Sequence, residues 1–172
     1  MTPLAAQPNE RTKRSRQGTQ PELTPRQRAY GTFFRQLVED IRREYPGLTE
    51  ATKPTLANWF SFPVGRSGVT IAVAFGLDSI RVALYLAFVN DREKNKRAFD
   101  ALVARRQEVE EALGYSITWD RQDDKKQSRV FTSRMGSIDD SPKMLAELRE
   151  WAVQKVGDFY RVFRPLIQQL DL

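Results

Sequence analysis

The sequence predicts an α+β fold, a layered sandwich with a mainly antiparallel sheet and the order helix, three strands, helix, two strands, helix. Three observations predict it. Long segments carry apolar residues at spacings of three and four, which is typical of amphipathic helices. Shorter apolar segments are joined by short, turn-rich links, which is typical of antiparallel hairpins. Hydrophobic residues make up 40% of the 172, which suits one folded core.

The N-terminal segment differs in composition from the rest of the chain. Residues 1–24 contain few large apolar side chains and are predicted to be a disordered basic tail, so that residues 25–172 form a single domain. A basic cluster lies in this tail and consists of Arg11, Lys13, Arg14 and Arg16. Such a cluster can contact phosphates without sequence preference. The sequence favours a solubilising tail and leaves a phosphate-binding arm as the alternative.

The first helix is predicted to begin at Thr24-Pro25, an N-cap followed by proline, and to end before Pro46. Three strands of an antiparallel meander follow, and the third is apolar on both faces, which predicts a central position in the sheet. Their predicted bounds are Trp59–Pro63, Val69–Phe75 and Ile80–Val89.

One face of this meander collects small side chains. They are Ala72, Ala74, Ala83 and Ala87. Small side chains either let a helix approach closely or leave a shallow groove. Because protein cores are close-packed, the sequence favours a helix packed on this face.

The second half of the chain predicts two more helices around a strand pair. One helix, capped by Asn90 or Asp91, runs to about Leu113 and ends at Gly114, and Lys96 and Asp100 are spaced to form an i,i+4 ion pair on it. The last helix opens at Asp139, Asp140 or Ser141, and Pro165 should kink or break it. The two strands between these helices are predicted at Ser116–Asp120 and Arg129–Arg134.

The chain contains no histidine and no cysteine. This excludes the Ser-His-Asp triad, the Cys-His pair and zinc sites built from thiolates or imidazoles. A magnesium nuclease would need carboxylates and a lysine that converge from neighbouring strands. Asp78 precedes the third strand, but that strand contains no acid and no lysine between Arg81 and Tyr85, and the Asp-x-Lys pattern occurs only in the loop around Asp123. We therefore predict no catalytic residue, no metal site and no cofactor.

Charge and aromatic residues favour a polyanion as partner. The net charge is +6, and the polar loop 121–128 is flanked by Trp119 and Phe131. Basic groups beside aromatic rings can bind single-stranded nucleic acid by phosphate contact and stacking. The simpler interpretation is an ordinary hairpin loop with Trp119 in the core. The candidate nucleic-acid-binding residues are Arg11, Lys13, Arg14, Arg16, Trp119, Lys125, Lys126 and Arg129.

Several short motifs between residues 78 and 170 occur in the order found in a known family. They are Arg81–Leu86, Asn95–Leu102, Val109–Gly114, Trp119–Arg121, Ser128–Val130 and Phe159–Pro165. On these motifs the chain resembles a bacterial and archaeal domain of unknown function. The resemblance implies a domain that often forms the C-terminal part of larger proteins, some with a predicted nuclease or restriction-linked region. It implies no activity, and Ala83 stands where the family pattern favours glutamate.

These observations predict a non-catalytic binding module for nucleic acid, DNA or RNA, or for a nucleic-acid-handling protein. A divergent magnesium-dependent nuclease is one alternative. A protein-interaction or assembly module that uses the alanine face or the last helix is the other, and a homo-oligomer is left open. No segment approaches 18 consecutive apolar residues, so we expect no membrane span. The cytoplasm is the default location.

Overall fold

Four helices and five strands make up residues 21–52 and 55–172, the part of the chain that this computed structural model describes. The helices are α1 (Pro25–Glu44), α2 (Arg92–Val103), α3 (Arg106–Leu113) and α4 (Pro142–Gln169). The strands are β1 (Trp59–Pro63), β2 (Val69–Phe75), β3 (Ser79–Leu86), β4 (Thr118–Asp120) and β5 (Ser128–Met135). All pairings are antiparallel, and the strand order is β1-β2-β3-β5-β4. The predicted α+β fold is confirmed.

Helix α1 begins as its sequence predicts. The Thr24 hydroxyl accepts from the Gln27 amide, and the Gln27 side chain accepts from the Thr24 amide, which completes a capping box. The buried face of α1 carries aromatic rings. Phe34 is fully buried and stacks on Phe60 of β1, with 6.3 Å between ring centroids. This stacking fixes α1 against the sheet.

Strand β3 is central because it is paired on both sides. Leu84 lies opposite Ile71 of β2 and opposite Val130 of β5. Strands β1, β2 and β3 form the predicted meander. The chain then crosses through α2, α3 and the edge strand β4 before β5 returns beside β3.

The helices pack on one face of the sheet only. That face carries Ile71, Val82, Leu84 and Val130, which join the helices in one core. Helix α4 contacts β2 and β3, α2 contacts β3 and β5, and α1 and α3 contact α4. Side chains alternate along a strand, so the residues between these core positions point to the opposite face. We call that opposite face the open face.

The expected helix on the alanine face is not there, and that prediction is wrong. Ala72, Ala74 and Ala83 belong to the open face, and in residues 21–52 and 55–172 no helix packs on it. These alanines are still only 6%, 7% and 1% exposed, because longer side chains around them shield a methyl group that lies close to the sheet. The apolar stripes of the helices all pack into the core on the other face of the sheet.

The predicted helix from Asp91 to Leu113 is two helices. The chain turns tightly at Ala104 and Arg105, where the Arg105 amide donates to the Leu102 carbonyl. No glycine or proline marks this break. The turn changes the direction of the helix so that Val109 and Leu113 both reach the core, and Gly114 ends α3 with φ of 86°, as predicted.

The remaining differences are at element ends. Strand β3 ends at Leu86 rather than Val89, β4 begins at Thr118, and β5 extends to Met135. Of the two outcomes expected at Pro165, a kink or a break, the break is wrong, since α4 continues to Gln169. Leu166 and Ile167 after the proline are buried, and their packing holds the last turn in place.

Two further predictions concern a membrane span and the N-terminal tail. In the described part of the chain, no helix is long and apolar enough to cross a membrane. The basic cluster of the tail lies outside the described residues, so its contact with phosphates stays a prediction. Its members are Arg11, Lys13, Arg14 and Arg16.

Candidate functional site

Three rows of side chains cross the open face, because paired residues of antiparallel strands point to the same side of a sheet. The rows are Trp59–Ala74–Arg81–Ser133, Ser61–Ala72–Ala83–Phe131–Thr118 and Pro63–Thr70–Tyr85–Arg129–Asp120. Small side chains occupy the centre. Aromatic and arginine side chains stand around them and shield them from solvent.

Phe131 lies between two arginines on this face. The guanidinium carbon of Arg129 is 4.8 Å from the ring centroid, and that of Arg81 is 5.8 Å away. Arg129 is held in place by Asp120, with 2.9 Å from Nε to Oδ2. Guanidinium groups over a ring face are attracted by its quadrupole. The three side chains therefore form a fixed cluster on β3 and β5, and we call Arg81, Arg129 and Phe131 the Arg-Phe-Arg cluster.

The charge of Arg81 has no acidic partner within 4 Å among the described residues. Its Nη2 donates to the Tyr85 hydroxyl at 3.3 Å, and its Nε is buried without a hydrogen-bond partner in that part of the chain. An unpaired donor and an uncompensated charge are both costly beside a protein surface. An anion bound at the open face would compensate the charge of Arg81, whereas the buried Nε is not accessible from that face.

The loop between β4 and β5 extends the positive charge beyond the end of the open face. We call residues 121–127 the basic loop, and Lys125 and Lys126 are exposed on it. A cleft of about 340 Å³ lies between these lysines and the segment that follows β3, including Ala87 and Asn90. Lys125 and Lys126 therefore lie near the end of β5 that carries Arg129.

The basic loop is held by a buried lysine. Lys96 is 5% exposed, and the expected ion pair with Asp100 is absent, because Asp100 pairs with Arg121 instead. The Lys96 ammonium donates within 3.0 Å to four oxygens, the carbonyls of Arg121, Gln122 and Gln127 and the hydroxyl of Ser128. Burial lowers the pKa of Lys96, and the charge of Arg92 lowers it further. Only the ammonium form has three N–H donors for these acceptors.

The neighbouring Asn95 fastens the same loop. Its side chain is 1% exposed and donates to the Lys126 carbonyl at 3.0 Å. It also accepts from the Phe88 amide at 2.7 Å. One turn of α2 therefore fixes both ends of the basic loop and the segment after β3. The two exposed lysines are presented from a rigid support.

Trp119 is not part of this surface. It pairs with Val130 and points into the helical layer, whereas its neighbours in the rows of the open face point the other way. Its indole Nε1–H donates to Glu110 at 3.1 Å, and its ring meets Phe99 edge-on at 6.3 Å. The hydrogen bond from Arg106 holds the pKa of Glu110 below its ordinary range, so this acceptor is ionised at neutral pH. Stacking of Trp119 on a base would require that it leave the core.

Phe131 was expected only as a neighbour of the polar loop, and Trp59, Arg81 and Tyr85 were not expected at the site. The signal was the period-two alternation, which assigns them to the face opposite the core once β3 and β5 are paired. Trp59 is 53% exposed at the edge of the open face.

The acidic residues do not assemble a metal centre. Across residues 21–52 and 55–172, no group of three or more acidic side chains is placed to hold a metal ion. Asp78 precedes β3, and Asp123 lies beyond the far end of that strand. The eight residues of β3 separate them by about 25 Å. These two carboxylates cannot share one metal ion.

The chain belongs to the family described as "Domain of unknown function (DUF4268)", whose sequence profile matches residues 29–167. The match includes most of α1 and the whole sheet, more of the chain than the motifs suggested. No curated protein and no solved structure matches this chain.

Proposed function

We propose that this protein is a non-catalytic binding module that takes nucleic acid on the open face. The observation that carries the proposal is the Arg-Phe-Arg cluster, set on a sheet whose helices all lie on the other side. Arginine and aromatic groups together suit a ligand that has both phosphates and bases. The carboxylate of Asp120, in the same rows, is paired with Arg129.

Charge favours nucleic acid over a second copy of the chain. Face-to-face contact of two copies would place Arg81 and Arg129 against arginines of like charge. Phosphates would instead satisfy Arg81 and approach Lys125 and Lys126, which form no ion pair within 4 Å among the described residues. The overall charge of +6 acts in the same direction.

The first test is the salt dependence of binding to labelled oligonucleotides, measured by fluorescence anisotropy from 50 to 200 mM salt. For a single strand, the slope of log affinity against log salt is about 0.7 per neutralised phosphate. Lys125→Ala combined with Lys126→Ala should flatten this slope by about 1.4. Arg81→Gln should weaken binding and flatten the slope by about 0.7 more.

The matched control removes the same charge from the helical side. Arg35→Gln combined with Arg42→Gln changes two exposed residues of α1 and should leave the slope unchanged. Equal flattening by both double variants would mean that binding follows net charge and not this surface. Absence of binding to DNA and RNA at low salt would reject the proposal.

A protein-interaction module is the second candidate, and exposed apolar side chains favour it. Leu77, Met135 and Trp59 are 90%, 84% and 53% exposed at the end of the sheet away from the basic loop. Exposed apolar residues gathered in one place mark interaction sites. Light scattering across a concentration series tests self-association through this end, and Met135→Ser with Leu77→Ser should abolish any oligomer. The link to nuclease or restriction proteins that the resemblance implies stays a prediction.

A further inference from the structure

We infer that the open face binds unpaired bases, so that the ligand is single-stranded DNA or RNA and not a duplex. This inference rests on the proposed function and names its substrate class. It follows from the position of the aromatic rings, from the shape of the surface around them and from the arrangement of charge at its edge.

The Trp59 ring and the Arg-Phe-Arg cluster both stand on the open face of the sheet. Phe131 is half-buried near the middle of β5, and Trp59 is half-exposed on β1. Three strand spacings separate β1 from β5 in the sheet order, so the two rings are roughly 14 Å apart across the sheet. Small side chains and Arg81 lie between them. One short strand could place bases on the Trp59 ring and on the Arg-Phe-Arg cluster.

The Arg-Phe-Arg cluster adds further stacking surfaces. Guanidinium planes stack on bases as aromatic rings do, and they also donate hydrogen bonds to phosphates or base edges. Arg129 is anchored by Asp120, whereas Arg81 retains an unpaired donor. The cluster therefore combines a rigid platform with an arginine, Arg81, whose charge has no acidic partner within 4 Å among the described residues.

A duplex fits this surface poorly. Paired bases hide their faces in the helical stack and show only their edges, which proteins read by inserting a helix or a two-stranded ribbon into the groove. On the open face the rings lie on the broad side of a five-stranded sheet. The faces of paired bases cannot reach rings that lie at the level of the sheet.

The basic loop sets a direction for the strand. Lys125 and Lys126 lie beyond the Arg129 end of the face, whereas Trp59 lies at the opposite corner and is surrounded by uncharged side chains in its own strand. Phosphates are therefore drawn to one end, and the rings lie along the path from that end to the other. The charge sets the salt dependence, and the rings set the preference for unpaired bases.

The experiment compares one labelled 12-nucleotide strand, as DNA and as RNA, with the same strand in its duplex. Phe131→Leu and Trp59→Leu keep apolar side chains and remove the rings. Loss of base stacking should weaken single-strand binding by about 5- to 150-fold for each variant. The salt slope should stay unchanged, since no charge is removed. Duplex affinity should be weaker than single-strand affinity and insensitive to both variants.

Three results overturn the inference. Duplex binding as tight as single-strand binding would reject it while leaving the proposed function intact. Unchanged single-strand affinity in both leucine variants would do the same, and circular dichroism of each variant establishes that it is folded. Absence of binding to either form would reject the proposed function as well. Quenching of Trp59 fluorescence by the single strand, measured with Trp119→Phe and Trp151→Phe present, is the expected spectroscopic sign of stacking.

Discussion

Replacement of Lys96 by methionine should loosen the basic loop and lower the stability of the whole domain. Lys96→Met keeps the aliphatic stem and removes an ammonium that serves four oxygens within 3.0 Å. A buried acceptor that loses its donor costs about 1–3 kcal/mol. Water reaches part of the loop, and the desolvation cost of the charge disappears, so we expect a net loss of about 2–4 kcal/mol in the free energy of unfolding.

A domain of this size shifts in Tm by about 2–4 °C per kcal/mol, so Lys96→Met should melt about 5–15 °C below the wild type. Arg97→Met is the control, because Arg97 is exposed on the same helix and has no hydrogen bond or ion pair with the described residues. Thermal unfolding by circular dichroism gives both values, and hydrogen exchange should show faster exchange across residues 121–127. A Tm within about 2 °C of the control would refute the role assigned to this lysine.

Three further substitutions test other contacts. Gly157→Ala should lower the free energy of unfolding, measured by chemical denaturation, by about 1–3 kcal/mol, because the added methyl group would lie 2.2 Å from the Tyr45 ring. Combining it with Tyr45→Ala should remove most of that loss. Trp119→Phe should lower stability by about 1–2 kcal/mol and leave oligonucleotide affinity unchanged. A large loss of affinity would instead support Trp119 as a nucleic-acid-binding residue, as the sequence predicted. Burial and the Asp158 charge raise the pKa of Tyr115, so the folded state disfavours its ionised form. The stability that this group contributes is full below about pH 10 and is lost as the pH rises further. Tyr115→Phe should therefore lose less stability between pH 9 and 11 than the wild type. Equal slopes of unfolding free energy against pH in the two proteins would contradict this.

The elements of this fold were largely readable in the sequence because their signals are local. The cap at Thr24, the proline at the first turn of α4 and the glycine that ends α3 each act within a few residues. The break at Ala104 and Arg105 was not readable, since neither residue disfavours a helix. It arises from the need to turn Val109 and Leu113 toward a core that only the complete fold defines.

The candidate site was harder to predict because it, too, depends on packing that only the complete fold defines. Alternation along β3 separated Arg81 and Tyr85 from the core positions, but it could not show whether a helix would cover them. Trp119 was chosen because it adjoins the basic loop in sequence. Its neighbour Asp120 faces Arg129, and that pairing turns the indole to the other side of the sheet. Proximity in sequence was a poor guide where side chains alternate.

The most direct test of the central claim is to map where a nucleic acid touches the protein. A single strand that carries a photoreactive base should crosslink to peptides of β3 and β5 that contain Arg81 or Phe131, or to the start of β1 at Trp59. Peptides from α1, α4 and the Trp119 side of the sheet should remain unmodified. Crosslinks confined to the helical layer, or none at a concentration that saturates binding, would contradict the account of the open face as the binding surface.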